Sequence, residues 1–358
     1  MNTKGSGKHH RHRHHRHGVF YRIRRWIRHN KKWFGFCSLM IIGILGIGSY
    51  LLYGSIKRQS AYHVISNNSV DVGTGYRNIT YNGQEYQYNN LITTILVIGI
   101  DSTGSIERTG YTAAPRADSI NLVVLDEYHS KVTIVAFNRS TQTAIHRYTL
   151  GGTDRGTYVT YLCYAYTYGD GLEASCENVV TAIEDLLGGI QIDDYITTNV
   201  SALPYINSLV GGVTVTVPND DLVDEYPELS AGSVVTLDDS NIEAFLRSRD
   251  TNTYFSNDDR MERQSAFMTA YAGQFKTCIS EDLEGMWTQI EQFDEYALTS
   301  ITKSQYISLA NLLGSIDFEE VDYYTPEGED VVGNYHDEFY IDEDAWMEKI
   351  IELFYIEQ

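Results

Sequence analysis

Four charged residues stand at the ends of three short apolar runs. Ile95–Ile100 ends at Asp101, Arg116 and Asp118 precede Ile120–Leu125, and Arg139 follows Val132–Phe137. Each run is rich in β-branched residues and bounded by turn or polar residues, which predicts buried strands. Charges at strand ends fall on the rim of a sheet, where open α/β sheets place their ligands. Two carboxylates and two guanidiniums there suit a divalent cation together with a phosphorylated ligand. The same four residues also fit solvated loop ends flanking strands.

A second constellation bears on that choice. Eleven arginines lie beyond residue 32; four of them are Arg247, Arg249, Arg260 and Arg263, and none follows. Residues 54–358 hold 16 basic residues against 48 acidic ones, a balance of −32. Cations gathered so closely in such an acidic chain point to an anionic ligand. Arg260 and Arg263 are three apart, on one helical face near a helix N-terminus, an end that favours anions. For Arg260, ion pairing with Asp258 and Asp259 is the alternative.

The elements that must position these residues alternate in type. After the three strands comes a Gly/Thr/Tyr-rich loop, Thr149 to Gly171, and then a helix through Val179, Ile183, Leu186 and Leu187, ended by Gly188. A strand over Ile190–Val200, a short helix over Ser201–Leu209 and a strand at 213–217 follow. Residues 218–236 read as an acidic loop. Asp238 or Asp239 caps a helix with Ile242, Phe245 and Leu246 inward, and this helix runs into Arg247. A long helix from Asp259 to Phe275, helices over Glu284–Phe293 and Thr302–Leu313, a strand near Val321–Tyr324 and a helix over Asp342–Phe354 complete the chain. The alternation predicts an α/β sheet with helices on its faces, in one domain over residues 91–358.

Upstream, residues 1–32 carry 11 Lys and Arg, seven His and no acid, and residues 33–53 carry no charge. Twenty-one uncharged residues are long enough to span a bilayer, which needs about 20, and the want of a clear small-x-small cleavage site after them favours an uncleaved anchor over a secretory signal peptide. The basic excess before the span places the N-terminus in the cytoplasm and the acidic bulk outside the cell. The tail fits anionic lipid headgroups more economically than a metal or a specific nucleic acid. Residues 54–90, polar and rich in Ser, Asn, Gly and Tyr, read as a stalk. Outside the cell a disulfide is permitted, and Cys163 and Cys176, with 12 residues between them, are expected to form one. Such a loop closure contributes about 3 kcal/mol. The histidines beyond the tail (His63, His129, His146, His336) are scattered and no GxSxG occurs, which disfavours a zinc or serine hydrolase.

The segments ILVIGIDS, RADSI, VAFNRST, AYTYG before a helix ending LLGG, LVGGVTVTVP, AFLRSRD and DRMERQ, in this order behind an anchor, resemble the LytR-CpsA-Psr family of cell-wall enzymes. The match covers about Ile95 to Phe275, and 276–358 resembles the family's C-terminal extension. The resemblance implies a three-layer α/β/α sandwich with a mixed central sheet, behind a single transmembrane helix. It also implies an apolar tunnel for a polyprenyl-pyrophosphate-linked glycan, whose phosphate is transferred to peptidoglycan. By position, Asp101, Asp118 and Arg139 would be catalytic, with Asp101 and Asp118 holding Mg²⁺ (or Mn²⁺). Arg116, Arg139, Arg247, Arg249, Arg260, Arg263 and Gln264 would clamp the pyrophosphate. Two positions depart from the family: Asn138-Arg139-Ser140 stands for Pro-Arg-Asp, and Val159-Thr160-Tyr161 for Lys-Ile-Asn.

Transfer of a phosphoryl group by positioning and charge neutralisation fits the residues themselves. A lipid-pyrophosphate hydrolase on the same site, and a non-catalytic module that binds wall polymer, are the other two readings. Asp126, beside the turn Glu127–Ser130, is expected to tolerate Asn and to serve as an internal control.

Overall fold

The computed structural model describes residues 78–249, 256–316, 321–333 and 336–358. The basic tail, the uncharged span, residues 54–77 and Asp250 lie outside the described residues. Among the described residues, no helix is long and apolar enough to cross a membrane.

The chain opens with strands β1 (Asn78–Tyr81), β2 (Gln84–Tyr88), β3 (Ile92–Ile100), β4 (Ala117–Asp126), β5 (Lys131–Phe137), β6 (Gln142–Tyr148) and β7 (Asp154–Tyr161). Helices α1 (Tyr164–Thr167) and α2 (Glu173–Leu186) lead to β8 (Asp194–Asn199), α3 (Leu203–Leu209), β9 (Thr214–Thr216) and β10 (Val234–Thr236). Next come α4 (Ile242–Arg247), α5 (Asn257–Glu281), α6 (Leu283–Ile290), β11 (Ala297–Thr299) and α7 (Lys303–Ser315). Strands β12 (Asp322–Tyr324), β13 (Gly328–Val332) and β14 (Asp337–Ile341), helix α8 (Glu343–Phe354) and β15 (Tyr355–Glu357) follow.

The central sheet has the order β11-β8-β3-β4-β5-β12. Strands β3, β4 and β5 form an antiparallel meander. To it β8 and β12 add in parallel and β11 antiparallel, so the sheet is mixed. Along β3, Leu96, Ile98 and Ile100 are buried on the face covered by α2 and α8. Ile95, Val97 and Gly99 face the opposite side, which α3 to α7 cover. Helices on both faces explain why these strands read as continuous apolar runs. Trp346 of α8 ties the first layer together: its Nε1 donates to Leu186 O at 2.7 Å, and its ring meets Phe137 edge-on at 5.6 Å. The extension 276–358 therefore supplies core, not an appendage.

Several expectations change. Residues 78–88 are not stalk: β1 pairs with β2, and β2 pairs with β15. The Gly/Thr/Tyr-rich loop is largely the β6–β7 hairpin plus α1, because the β-forming residues of Thr157–Tyr161 outweigh the glycines around them. The acidic segment 218–236 contains β10, paired with β9. Asp238 accepts from Ser240 rather than capping α4, whose N-cap Asn241 makes no side-chain cap bond.

The expected Cys163–Cys176 disulfide is absent, and both thiols are free and buried. Cys163 sits before α1 and faces the sheet rim. Cys176 points from α2 at Thr197 Oγ1, 3.2 Å away. The spacing of 12 residues is bridged by a helix start and a turn that send the two side chains to different neighbours.

Candidate active site

Asp101 follows the end of β3, where its N–H donates to the Arg116 carbonyl at 3.0 Å. Asp118 lies one step inside β4, at an irregularity. Gly99 pairs with Ser119 but Ile100 pairs with Ala117, so Asp118 is an extra residue in β4. Such a bulge re-aims a side chain. Without it, Asp118 would point with Ile120, Leu122 and Val124 into the α2/α8 core; with it, Asp118 and Ser119 both line the opposite face. Close approach of the two strands here requires Gly99, where an added Cβ would lie 3.1 Å from Ser119 Cβ.

Arg139 follows β5 and sets its Nη1 2.6 Å from Asp118 Oδ2, while its Nη2 lies 3.9 Å from Cys163 Sγ. Arg260, on the first turn of α5, reaches the same carboxylate oxygen at 3.8 Å and the Asp118 carbonyl at 3.3 Å. Asn257, one turn earlier, steadies Arg260 by accepting at 2.6 Å, and itself donates to Asn138 Oδ1 at 3.2 Å. Burial pushes the Arg260 guanidinium down to about 10, against the attraction of Asp118. Arg247 at the end of α4 pairs with Asp101 Oδ1 and with Glu243, each at 2.5 Å. Arg116 stands 3.9 Å from Asp101 Oδ2. Arg249 donates to Ser256 Oγ at 3.0 Å; burial first and the neighbouring Arg139 second lower its pKa. Gln264 donates to the Leu246 carbonyl at 3.0 Å.

The structure thus brings together Asp101, Arg116, Asp118, Arg139, Arg247, Arg249, Arg260 and Gln264 on the wall of one cavity of about 1060 Å³. Arg263 is different. It is fully buried, does not line the cavity, and donates to the carbonyls of Phe245 (2.9 Å) and Ser248. Its Nη1 also meets Asn219 Oδ1 and Asp221 Oδ2, each at 3.0 Å. It holds the turn that carries Arg247 and Arg249 instead of touching a ligand. Glu243 and Asn257 were not evident beforehand; their spacing of four before Arg247 and three before Arg260 is the signal that could have shown them.

Beyond the charged end the cavity is apolar. Ile95, Val97, Val123 and Ile134 of the sheet face Phe267, Met268, Tyr271 and Phe275 of α5, with Trp287, Leu309 and Leu313 deeper along the wall. The wall carries five guanidiniums and four carboxylates (Asp101, Asp118, Glu243, Asp294), in a chain that is otherwise strongly acidic. An amphiphile with an anionic head matches this division. Among the described residues no group of three or more His, Cys, Asp or Glu gathers as a metal site. A cation held by two carboxylates and ligand oxygens needs no such group, and Asp118 Oδ1 is buried with no hydrogen-bond partner. Asp118 thus offers one open oxygen of the kind Mg²⁺ takes, whereas the oxygens of Asp101 face Arg247 and Arg116.

No curated protein matches the sequence. Among solved structures, Bacillus subtilis TagV is 20% identical over 73% of this chain and 95% of its own, with a TM-score of 0.56. Bacillus subtilis TagT bound to LI-WTA is 19% identical over 74% and 90%, also at 0.56. A transcriptional regulator from Enterococcus faecalis is 17% identical over 73% and 86%, at 0.54. These identities establish a shared fold. The LytR_cpsA_psr family matches residues 56–351, a stretch that contains every residue of the charged rim, and the chain belongs to that family.

Proposed function

We propose that the protein transfers a glycan phosphate from a polyprenyl-pyrophosphate carrier to peptidoglycan, attaching a teichoic-acid-like or capsular polymer to the wall. One observation carries the reading: an apolar cavity of lipid-tail dimensions opens directly onto five guanidiniums and two rim aspartates. Family membership and the likeness to TagT bound to LI-WTA support it.

In the transfer, an acceptor sugar hydroxyl attacks the glycan-side phosphorus. A new phosphorus–oxygen bond forms to the acceptor, and the bond to the bridging oxygen breaks. Polyprenyl monophosphate leaves with that oxygen, and the hydroxyl proton passes to solvent. Arg116, Arg139, Arg247, Arg249 and Arg260 hold and neutralise the pyrophosphate, while the apolar wall fixes the tail and excludes water behind it. Asp101 and Asp118 would hold Mg²⁺, which neutralises phosphoryl oxygens when bound. With residues 33–53 as a single span, this chemistry takes place outside the cell.

Full-length protein is incubated with a polyprenyl-pyrophosphoryl oligosaccharide, Mg²⁺ and peptidoglycan. Equal yields of lipid phosphate and wall-bound sugar are expected. Lipid phosphate without wall-bound sugar would identify a hydrolase, and neither product would leave a binding module.

A further inference from the structure

The chain holds 28 tyrosines against 12 phenylalanines, and among the described residues the charged rim uses no tyrosine. Several gather on the hairpin and short helix next to it. Tyr158 of β7 meets Tyr168 with ring centroids 5.7 Å apart, and their hydroxyls are hydrogen-bonded. Tyr168 lies 6.2 Å from Tyr164, Tyr164 lies 5.8 Å from Tyr161, and Tyr161 lies 6.3 Å from His336. The four tyrosines are half-buried, His336 is exposed, and Tyr158, Tyr164 and Tyr168 pack on the main core. The ladder is thus fixed from beneath.

This row of rings is continuous with the site. Tyr164 directly follows Cys163, whose sulfur lies against Arg139, and the Cys163 N–H donates to the Arg139 carbonyl at 3.1 Å. Its chemistry differs from that of the rim. The rings and phenols themselves carry no fixed charge, and at the inner end of the row the guanidinium of Arg147 caps the face of Tyr158, 5.5 Å from its centroid. Aromatic faces take the C–H faces of pyranose rings while hydroxyls at their edges accept or donate to sugar hydroxyls. Outward of that capped ring, Tyr168, Tyr164 and Tyr161 suit a neutral saccharide strand, whereas a polyphosphate polymer would require cations along its path.

We propose that Tyr168, Tyr164, Tyr161 and His336 form a platform for the neutral glycan strand of the acceptor, delivering its hydroxyl to the phosphate beside Arg139. This rests on the transfer reading above and names the acceptor surface of the same site.

The test is co-sedimentation of the full-length protein with peptidoglycan glycan strands stripped of anionic polymer, alongside the rise in melting temperature caused by a polyprenyl-pyrophosphoryl oligosaccharide donor. The Tyr161→Ala/Tyr164→Ala pair should bind strands about tenfold more weakly, the loss of about 1.4 kcal/mol of stacking. Its stabilisation by the donor should be unchanged. The corresponding Phe pair should bind like the wild type, since the ring faces remain. If the Ala pair melts early, Tyr161→Ser and His336→Ala, at the outer end, carry the test. Undiminished strand binding by the Ala variants, or no strand binding by the wild type, would overturn the platform. Tyrosine-dependent strand binding without any stabilisation by the donor would instead leave the platform standing and sink the transfer reading.

Discussion

Arg139 engages one oxygen of Asp118 at 2.6 Å and leaves the other, Oδ1, buried and without a partner. A buried carboxylate oxygen left open costs free energy unless something binds it. That asymmetry separates the work of the aspartate from that of the arginines.

Asp118→Asn keeps the shape and the Arg139 contact but removes a charge. Turnover, measured as lipid phosphate released per enzyme, should fall by about 10³-fold, with donor binding retained. Asp126 is unsuitable as the control, contrary to the expectation from its position beside a turn. It is buried and accepts from Asn89, from the Tyr128 and His129 amides, and pairs with the His129 ring at 2.6 Å. Asp239, exposed before α4, takes its place. Equal activity of Asp118→Asn and Asp239→Asn would disprove the metal assignment.

Arg260 trades stability for binding. Its pKa falls on folding to about 10 through burial, and its Nε has no hydrogen-bond partner. A cation whose pKa falls on folding binds its proton less tightly in the fold than in the unfolded chain. The cost is therefore full below about pH 10 and fades as pH rises from there towards the unfolded value. Arg260→Met should leave the neutral-pH melting temperature of ligand-free protein unchanged or higher. The same variant should lose donor-induced stabilisation. A melting temperature several degrees lower would show that the charge supports the fold.

Arg263→Met should do the reverse in the absence of ligand. It strands the Phe245 and Ser248 carbonyls and the Asp221 carboxylate, and breaking such a buried set costs about 3 kcal/mol. Chemical denaturation would read this directly. The KM for donor should rise as well, because the turn bearing Arg247 and Arg249 loosens. Unchanged stability would mean that Arg263 is not the staple of that turn.

Ala272 lines the apolar wall beside Met268. Ala272→Trp should raise KM for long-chain donors while leaving short, water-soluble pyrophosphates unaffected, since only the former fill the cavity. Equal effects on both would place the lipid elsewhere.

The strand-end charges were legible because runs such as Ile120–Leu125 are locally encoded and their flanking residues must fall at the rim. The bulge at Asp118 was not, since register is settled between strands and leaves no mark in either alone. Helical spacing put Arg260 and Arg263 on one face, correctly. It could not show that this face borders two surfaces, the sheet rim for one and the α4 turn for the other. The thiols misled for a similar reason: the expected compartment and the spacing permit a bond that side-chain direction forbids. Residues 78–88 looked like linker because their partner, β15, lies some 270 residues away in the chain.

That last pairing has a consequence for the order of assembly. Strand β2 receives β15 on one edge, with Tyr88 opposite Tyr355 and Tyr86 opposite Glu357. Helix α8, immediately before β15, fills one side of the main core. Early strands of the domain thus wait, unpaired on that edge, until residues 343–357 have been made and have arrived. Contacts of such long sequence separation form late and leave the edge open meanwhile. During synthesis β2 therefore depends on residues 343–357 for shelter.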